Sequence, residues 1–330
     1  MEIIEDRGLL VRVRDHEKVT TAIEKSRYMG SEDGTDKVLV KWTLKNTRKL
    51  ANMGIRYAPS PILRDYDWPG SFTPFDHQRQ TSSFLTANNR AFCLSSQGTG
   101  KSASVIWAAD YLMSIGDIKR ALIVSPLSIM HSAWMTDIFK LAMHRTAAVA
   151  HGPRETRKKV INGGYEFVII NYDGIPIMED ELKNQFDLIV ADEANFLKTA
   201  TTRRWKSFNK VLKPENKLWL LTGTPAAQSP ADAYGLAKMA VPQRVPPYFT
   251  SWKNRVMNKI TQFKWVPAPD ATKLVNQALQ PAIRYAKKDC LDLPPVTYVT
   301  REVDLTAQQK KYYKQLKKQM MIEAAGENIS

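Results

Sequence analysis

Two short polar segments of this 330-residue chain contain residue types that suit phosphate chemistry. The first is the glycine-rich segment Ser95-Ser96-Gln97-Gly98-Thr99-Gly100-Lys101-Ser102. Backbone N–H groups of such a loop can surround a triphosphate, while Lys101 reaches the β- and γ-phosphates and the Ser102 hydroxyl coordinates Mg²⁺. The usual pattern begins with glycine, where this chain has Ser95, but its chemistry-bearing residues are present. The alternative is a glycine turn followed by a solvated lysine.

The second segment is the acidic pair Asp192-Glu193. An aspartate in this setting can hold the Mg²⁺ shell, and a neighbouring glutamate can orient and deprotonate the attacking water. Two adjacent acids after a strand also occur as a solvated turn. The apolar run 188–191 directs this pair to the same sheet edge as Lys101, so the combination predicts ATP hydrolysis.

Near-continuous apolar runs that alternate with helical patterns must position these segments. The pattern predicts strands over 91–94, 121–125, 147–150, 165–171, 186–191 and 217–221. It predicts helices over 103–115, 129–142 (with Ser128 as N-cap) and 229–240 (with a capping box at 229–232). Such alternation is typical of an α/β fold with a parallel sheet covered on both faces, in which ligands bind at the carboxyl ends of the strands.

Residues 1–70 are predicted to form a small α+β accessory domain, with the main domain over 71–330. Strands are expected over 9–13 and 37–44 and helices over 17–28 and 46–53, before a Pro- and Gly-rich linker. Just after the boundary lies Gln78, whose amide could hydrogen-bond the edge of adenine. Considered alone, Gln78 fits a solvated helix start better, because glutamine is mostly exposed, and it is the position of Gln78 ahead of the glycine-rich loop that favours adenine binding.

Charge and composition indicate the kind of partner. The net charge is +15, which is typical of proteins that bind a polyanion such as nucleic acid or an acidic membrane surface, although a generally basic, solvated surface is the alternative. Residues 241–330 contain 15 Lys and Arg against 7 Asp and Glu. In this part Trp252 and Trp265 alternate with lysines and arginines. This pattern suits a surface that binds the phosphate backbone of DNA, and the alternative is a basic helical face packed by its tryptophans. A lysine-rich helix is predicted over 306–325, with Thr306 and Gln309 as its capping box.

Targeting signals and cysteine usage indicate the cellular compartment of the protein. The chain has no apolar run of the roughly 18 residues that a spanning helix needs and no signal-peptide pattern, which argues against a membrane role. Its two cysteines, Cys93 and Cys290, give no disulfide framework. We therefore expect a cytoplasmic protein.

Taken together, these motifs resemble a known family over residues 72–330. Their order is similar to the first RecA-like lobe of superfamily-2 helicases, and the finer match is to Swi/Snf-type double-stranded DNA translocases of phage and bacterial type. The segments that carry the resemblance are Gln78, 97–102, Ser125-Pro126-Leu127, Asp192-Glu193-Ala194-Asn195, 219–225, Asp292-Leu293-Pro294-Pro295 and 305–309.

The resemblance implies roles for individual residues. Gln78 would bind adenine; Gln97, Gly98, Thr99, Gly100, Lys101 and Ser102 would bind the phosphates; Asp192 and Glu193 would manage Mg²⁺ and water. Asn195, Thr222, Gly223 and Thr224 would couple the nucleotide to DNA contact. Ser125, Pro126, Leu127, Asn171 and Tyr172 would touch a DNA strand, with a plain strand-end turn as the alternative. The family usually has histidine where Asn195 stands; asparagine can still hydrogen-bond toward Thr222 or Thr224, but it cannot titrate, so the coupling can differ in strength.

The resemblance also implies a second RecA-like lobe that brings an arginine finger. Such an arginine is worth on the order of 10³ to 10⁵ in rate. This lobe is expected either in the missing C-terminal part of a longer polypeptide or on a partner. Until it is present, weak ATPase activity is expected. The sequence therefore favours an ATP-dependent double-stranded DNA translocase. The alternatives are a nucleotide-gated DNA- or protein-binding module without turnover and, less favoured, a small-molecule P-loop kinase.

Overall fold

A computed structural model describes residues 1–5, 7–55, 58–261, 264–290 and 299–327. Within it the chain divides into two compact units, residues 1–291 and 292–330. The predicted motif segment Asp292-Leu293-Pro294-Pro295 lies outside the described residues.

An antiparallel four-stranded sheet begins the first unit, in the order β1-β2-β4-β3. Its elements and the helices that follow are β1 (Glu2–Ile4), β2 (Gly8–Val13), α1 (His16–Ala22), β3 (Arg27–Glu32), β4 (Thr35–Lys41), α2 (Leu44–Asn52) and α3 (Ile62–Asp65). This region has a hydrophobic core of its own, which includes Leu9, Val38 and Trp42. The α+β content of the region agrees with expectation, while the domain boundary near residue 70 stays a prediction.

The remaining strands of the first unit build a larger sheet. In chain order the elements are α4 (Asp76–Ala87), β5 (Arg90–Cys93), α5 (Lys101–Ser114), β6 (Ala121–Ser125), α6 (Thr136–Leu141), β7 (Ala147–Val149), α7 (Arg154–Asn162), β8 (Phe167–Asn171), α8 (Glu179–Leu182), β9 (Leu188–Asp192), α9 (Arg203–Val211), β10 (Lys217–Leu221), α10 (Ala233–Ala240), α11 (Phe249–Val256), β11 (Met257–Lys259), β12 (Trp265–Pro267), α12 (Ala271–Ala278), β13 (Ala282–Ile283) and α13 (Lys287–Cys290). Within the described residues the sheet has seven strands, all parallel, in the order β13-β5-β10-β9-β6-β8-β7.

Helices cover both faces of this sheet, as the near-continuous apolar strands predict. In β9, Leu188 and Val190 belong to the core under α4, α5 and α6, while Ile189 and Ala191 belong to the core under α7 to α12. Because successive side chains of a strand point to opposite faces of the sheet, one apolar run contributes to the hydrophobic cores on both faces. The α/β fold class, a parallel sheet flanked by helices, is confirmed.

Three local predictions were wrong. The helix expected over 17–28 ends at Ala22, and Arg27 already begins β3. Ser128 is not an N-cap: it lies in a 3₁₀ turn, Leu127–Ile129, followed by a π-helical turn, Met130–Met135, before α6. The capping box at 229–232 is also absent, since the Ser229 side chain makes no cap bond and a 3₁₀ turn, Pro230–Asp232, precedes α10.

The second unit contains a single long helix among its described residues, α14 (Ala307–Glu327). The capping box predicted for it is present. The Thr306 N–H donates to Gln309 Oε1 over 2.9 Å, and the Gln309 N–H donates to Thr306 Oγ1 over 3.2 Å. These two bonds satisfy donors that a helix start otherwise leaves free.

Candidate nucleotide site

The glycine-rich loop and the acidic pair emerge from nearly adjacent strands at one edge of the large sheet. Strand β10 lies between β5 and β9, and its last residue, Leu221, pairs with Cys93 on one side and Asp192 on the other. The loop 95–102 follows β5, and the Thr222-Gly223-Thr224 segment follows β10. Sheet order therefore brings together three segments that lie far apart in sequence.

Two glycines of the loop adopt the left-handed backbone conformation, with φ of +79° at Gly98 and +75° at Gly100. Helix α5 starts directly afterwards at Lys101, so its free N-terminal N–H groups face the loop. The loop is also tied down by two hydrogen bonds: the Thr99 hydroxyl donates to Ser96 O over 2.9 Å, and His77 Nε2 donates to Thr99 O over 2.8 Å. A glycine loop before a helix of this length is a ready-made anion site.

Lys101 folds back onto its own loop. Its ammonium donates to Ser95 O over 3.1 Å and to Ser96 O over 3.2 Å. Both acceptors are neutral carbonyls, so a phosphate oxygen would be the stronger partner for this charge. The lysine is therefore held at the loop, within reach of an anion.

Gln78 is buried at the start of α4 and packs against the loop. Its Oε1 accepts from the Phe75 N–H over 3.0 Å, which caps the helix. On its other side, a Cβ atom added at Gly100 would overlap Gln78 Nε2 and lie 3.1 Å from Gln78 Cδ. The structure thus explains why glycine stands at position 100, while adenine binding by Gln78 stays a prediction.

The carboxylate of Asp192 is buried and fixed in orientation. The Trp134 indole N–H donates to Asp192 Oδ2 over 2.9 Å, and the Glu193 N–H donates to Asp192 Oδ1 over 3.0 Å. Burial raises the pKa of Asp192 above its ordinary value; the Glu193 charge adds to this, while the Trp134 bond and the Lys101 charge oppose it. A bound cation would favour the ionised form of this carboxylate, which suits a magnesium ligand.

Glu193 is the residue that connects the acidic pair to the loop. It has a left-handed backbone, with φ of +49°, which is uncommon for a residue with a side chain. Gln97 Nε2 donates to Glu193 Oε1 over 3.4 Å. The two segments chosen from the sequence for phosphate chemistry are therefore in direct contact.

The predicted coupling segment also lies against the loop. A Cβ atom at Gly223 would lie 3.6 Å from Ser95 O and 3.7 Å from Gln97 N. Thr222 is fully buried, and its Oγ1 accepts from the Thr224 N–H over 3.1 Å. Asn195 Oδ1 does not make the bond that asparagine could form toward Thr222 or Thr224, since this atom is buried without a hydrogen-bond partner. The coupling role of these residues stays a prediction.

The residues predicted to touch DNA differ in accessibility. Leu127 is 54% exposed beside Pro126, whereas Ser125 is buried. Asn171 is 8% exposed, and its Oδ1 accepts from Arg157 Nη1 over 3.0 Å. Tyr172 is also buried, and its hydroxyl donates to Asp192 O over 2.6 Å. Leu127 is thus accessible to a ligand, while Asn171 Oδ1 and the Tyr172 hydroxyl are occupied by hydrogen bonds within the protein.

Sequence reasoning missed several residues that shape this site. Trp134 and His77 hold Asp192 and the loop, as described above. The main chain of Tyr285 is bonded to the loop as well: the Ser96 N–H donates to Tyr285 O over 2.9 Å, and the Tyr285 N–H donates to Ser95 Oγ over 3.1 Å. No motif marks these residues, because each acts through contacts that depend on the tertiary fold.

The residues present fit a magnesium nucleotide. An anion at the loop would meet two left-handed glycines, the N-terminus of α5 and the Lys101 ammonium. At the same sheet edge lies the buried Asp192 carboxylate, whose pKa is raised by burial and whose ionised form a cation would stabilise. Mg²⁺ in nucleotide sites is typically held by one or two protein ligands and by substrate phosphates. Ser102, the second residue of α5, and Asp192 would be those ligands.

No helix within the described ranges is both long enough and apolar enough to cross a membrane.

The fold is that of a RecA-like lobe: a parallel sheet flanked by helices, with the glycine-rich loop and an acidic strand end at its carboxyl edge. The SNF2-related domain profile matches residues 35–330, so the chain belongs to this family. The predicted resemblance to Swi/Snf-type proteins is confirmed.

Solved structures agree on the fold. The SWI2/SNF2 ATPase core of Sulfolobus solfataricus in complex with dsDNA superposes with a TM-score of 0.58 at 20% identity, over 67% of this chain and 46% of that chain. A second structure of the same ATPase core domain gives a TM-score of 0.55, also at 20% identity, over 67% of this chain and 45% of that one.

Sequence relatives come from animals, yeast and phage. The "SWI/SNF-related matrix-associated actin-dependent regulator of chromatin subfamily A-like protein 1" of Xenopus laevis is 28% identical, over 50% of this chain and 16% of its own length. The "Putative protein p41" of Acyrthosiphon pisum secondary endosymbiont phage 1 is 28% identical, over 51% and 39%. The "ATP-dependent helicase FUN30" of Saccharomyces cerevisiae is 25% identical, over 82% and 26%. The chain thus spans well under half the length of these relatives.

Proposed function

We propose that this chain is the first RecA-like lobe of a DNA-dependent ATPase motor, which binds Mg-ATP and tracks along double-stranded DNA. The observation that carries the proposal is the hydrogen bond between Gln97 and Glu193, at 3.4 Å, because it joins the phosphate loop to the acidic pair at one sheet edge. Membership of the SNF2-related family supports the same activity. A small-molecule kinase would leave the Thr222–Thr224 segment beside the loop without a role.

Each residue of the site has a distinct task in this proposal. Lys101 and the N–H groups of residues 98–102 would bind the phosphates, and Ser102 and Asp192 would hold Mg²⁺, which would neutralise charge on the phosphates. Glu193 orients the attacking water and accepts its proton. Trp134 keeps the Asp192 carboxylate in place, at 2.9 Å, so that the metal ligand needs no reorientation on binding.

The charge distribution supports double-stranded DNA as the polyanion. The chain carries a net charge of +15, and residues 241–330 account for +8 of it, from 15 basic and 7 acidic residues. Trp252 is only 2% exposed and packs in the core, so its ring is not available to DNA and the proposal rests on the basic residues of this region. Contacts to the DNA backbone give binding without sequence preference, as a tracking motor requires. We place this activity in the cytoplasm of a bacterial or phage-infected cell.

Hydrolysis at a useful rate is proposed to require a second RecA-like lobe, in the same polypeptide or on a partner. That lobe would supply the arginine finger and close the ATP cleft. The rival candidate is a nucleotide-gated clamp that binds DNA or protein and does not turn ATP over.

The test is steady-state ATPase activity of the longest natural polypeptide that contains this chain, with and without double-stranded DNA. We expect stimulation by DNA and its loss in Glu193→Gln, a variant that keeps the side-chain shape but cannot accept a proton. ATP binding without turnover under every condition would instead support the clamp. Unchanged activity of Glu193→Gln would refute the assigned chemistry.

A further inference from the structure

A second lysine, Lys287, lies against the glycine-rich loop. A Cβ atom added at Gly98 would lie 3.6 Å from Lys287 Cε and 3.7 Å from Lys287 Nζ. Lys287 lies 186 residues after Lys101 in the chain and belongs to none of the motifs considered above. The tertiary fold, and not a local sequence motif, therefore brings the Lys287 ammonium to the loop.

The position of Lys287 is set by main-chain bonds between β13 and the loop. The Leu94 N–H donates to Ile283 O over 2.8 Å, and the Ser96 N–H donates to Tyr285 O over 2.9 Å. Tyr285 in turn donates its N–H to Ser95 Oγ over 3.1 Å. Lys287 follows two residues later, so the segment that carries it is bonded to the same loop that would hold the phosphates.

The ammonium of Lys287 has capacity to bind an anion. The residue is exposed, and across the described ranges no carboxylate lies within ion-pair distance of its Nζ and no acceptor is hydrogen-bonded to it. Lys101 already places one positive charge at this loop. Both lysines thus lie against a loop whose backbone N–H groups suit an anion, and a polyphosphate would neutralise their charge.

We infer that Lys287 is a second phosphate-binding lysine of the nucleotide site, which contacts the phosphate chain of ATP from outside the glycine-rich motif. This inference rests on the proposed function, since it requires a nucleotide in the loop. It adds a residue from the end of the first compact unit to a site otherwise built from the strand ends of the large sheet.

The experiment is equilibrium binding of Mg²⁺ and a fluorescent ATP analogue to the full chain. The variants are Lys287→Met, which keeps an unbranched apolar stem, Lys287→Arg, which keeps the charge, and Lys288→Met as the neighbouring control. We expect Lys287→Met to weaken binding at least about tenfold, as for one charge-assisted hydrogen bond, and Lys287→Arg to restore it. Lys288→Met should stay within about twofold of the unmodified protein, because a solvated charge contributes little.

Salt separates a charge contact from a structural effect. At about 1 M salt the screening length falls to about 3 Å, so the difference between Lys287→Met and the unmodified protein should shrink. Equal affinities of Lys287→Met and Lys288→Met at low salt, or a loss that persists undiminished at high salt, would overturn the inference. If the unmodified protein bound no ATP analogue at all, the proposed function itself would fail instead.

Discussion

Substitution of Gly100 by alanine should destabilise the protein through a contact that the sequence does not reveal. Gly100 has φ of +75°, and a side chain in this left-handed conformation costs about 1–2 kcal/mol. The new Cβ would also overlap Gln78 Nε2 and lie 3.1 Å from Gln78 Cδ. Gln78 would then have to move and give up the bond that its Oε1 accepts from the Phe75 N–H at 3.0 Å, worth about 1 kcal/mol. We therefore expect Gly100→Ala to lower the free energy of unfolding by about 2–3 kcal/mol.

Denaturant unfolding measures this loss, and two further variants isolate its cause. Gly116→Ala is the matched control, because Gly116 has φ of +72° and nothing lies within 4 Å of its added Cβ. This control should lose only the backbone contribution of about 1–2 kcal/mol. In a Gln78→Ala background the extra cost of Gly100→Ala should disappear, since the overlapping atoms are gone. An equal cost of Gly100→Ala and Gly116→Ala, or an extra cost that survives in the Gln78→Ala background, would refute the reasoning.

Further predictions concern an ion pair and the tryptophan beside Asp192. Arg48→Met should cost about 2 kcal/mol in chemical denaturation, because it removes two bonds from Arg48 to Asp117, at 2.7 and 2.8 Å, whose partners are each about one-fifth exposed. Burial alone would raise the pKa of Asp117, but the bonds and charges of Arg48 and Lys217 outweigh it and lower that pKa. The pair should therefore stabilise the fold above the ordinary aspartate range, near pH 4, and lose its contribution as pH falls through the lowered pKa. Arg48→Met should reduce this pH dependence in a series of unfolding curves, with the part that is due to Lys217 remaining. Trp134→Phe should raise the Mg²⁺ concentration needed for half-maximal nucleotide binding, because Asp192 loses the indole bond that orients it; an unchanged Mg²⁺ requirement would contradict this role.

Strands of the large sheet could be predicted from the sequence because burial on both faces leaves a plain pattern. Residues 121–125 and 217–221 agree with β6 and β10 to the residue, since each run is apolar and ends at polar or turn-forming residues. Strand β3 gave no such signal: five of its six residues are exposed, so the run has no apolar period. It forms because β4 provides a pairing edge, which is a tertiary contribution that local pattern does not contain.

Helix starts were less predictable for a related reason. A serine before an apolar run predicts an N-cap, but the Ser128 carbonyl instead accepts from the Ser132 hydroxyl over 3.0 Å inside a 3₁₀ and π-helical stretch. Trp134, fully buried in that stretch, bonds to Asp192. The irregular start thus coincides with the residue that orients the predicted metal ligand, in agreement with the frequent occurrence of π-helical turns at functional sites.

The candidate site was predictable where its chemistry lies in short motifs and not where it depends on packing. Lys101, Asp192 and Glu193 stand in local patterns with a known physical purpose, and the parallel sheet brings them to one edge. Trp134 meets Asp192 across 58 residues, and Tyr285 meets Ser95 across 190. Contacts of that separation are set by strand order, which the apolar runs alone do not specify.

Binding of Mg-ATP to the chain of 330 residues tests the central claim most directly, because it needs neither DNA nor a second lobe. Calorimetric titration of the unmodified protein should show one site, and Lys101→Ala should weaken it at least about tenfold, as for a lost charge-assisted hydrogen bond to phosphate. Absence of ATP binding, or equal affinity of Lys101→Ala, would contradict the assignment of residues 95–102 as a nucleotide site.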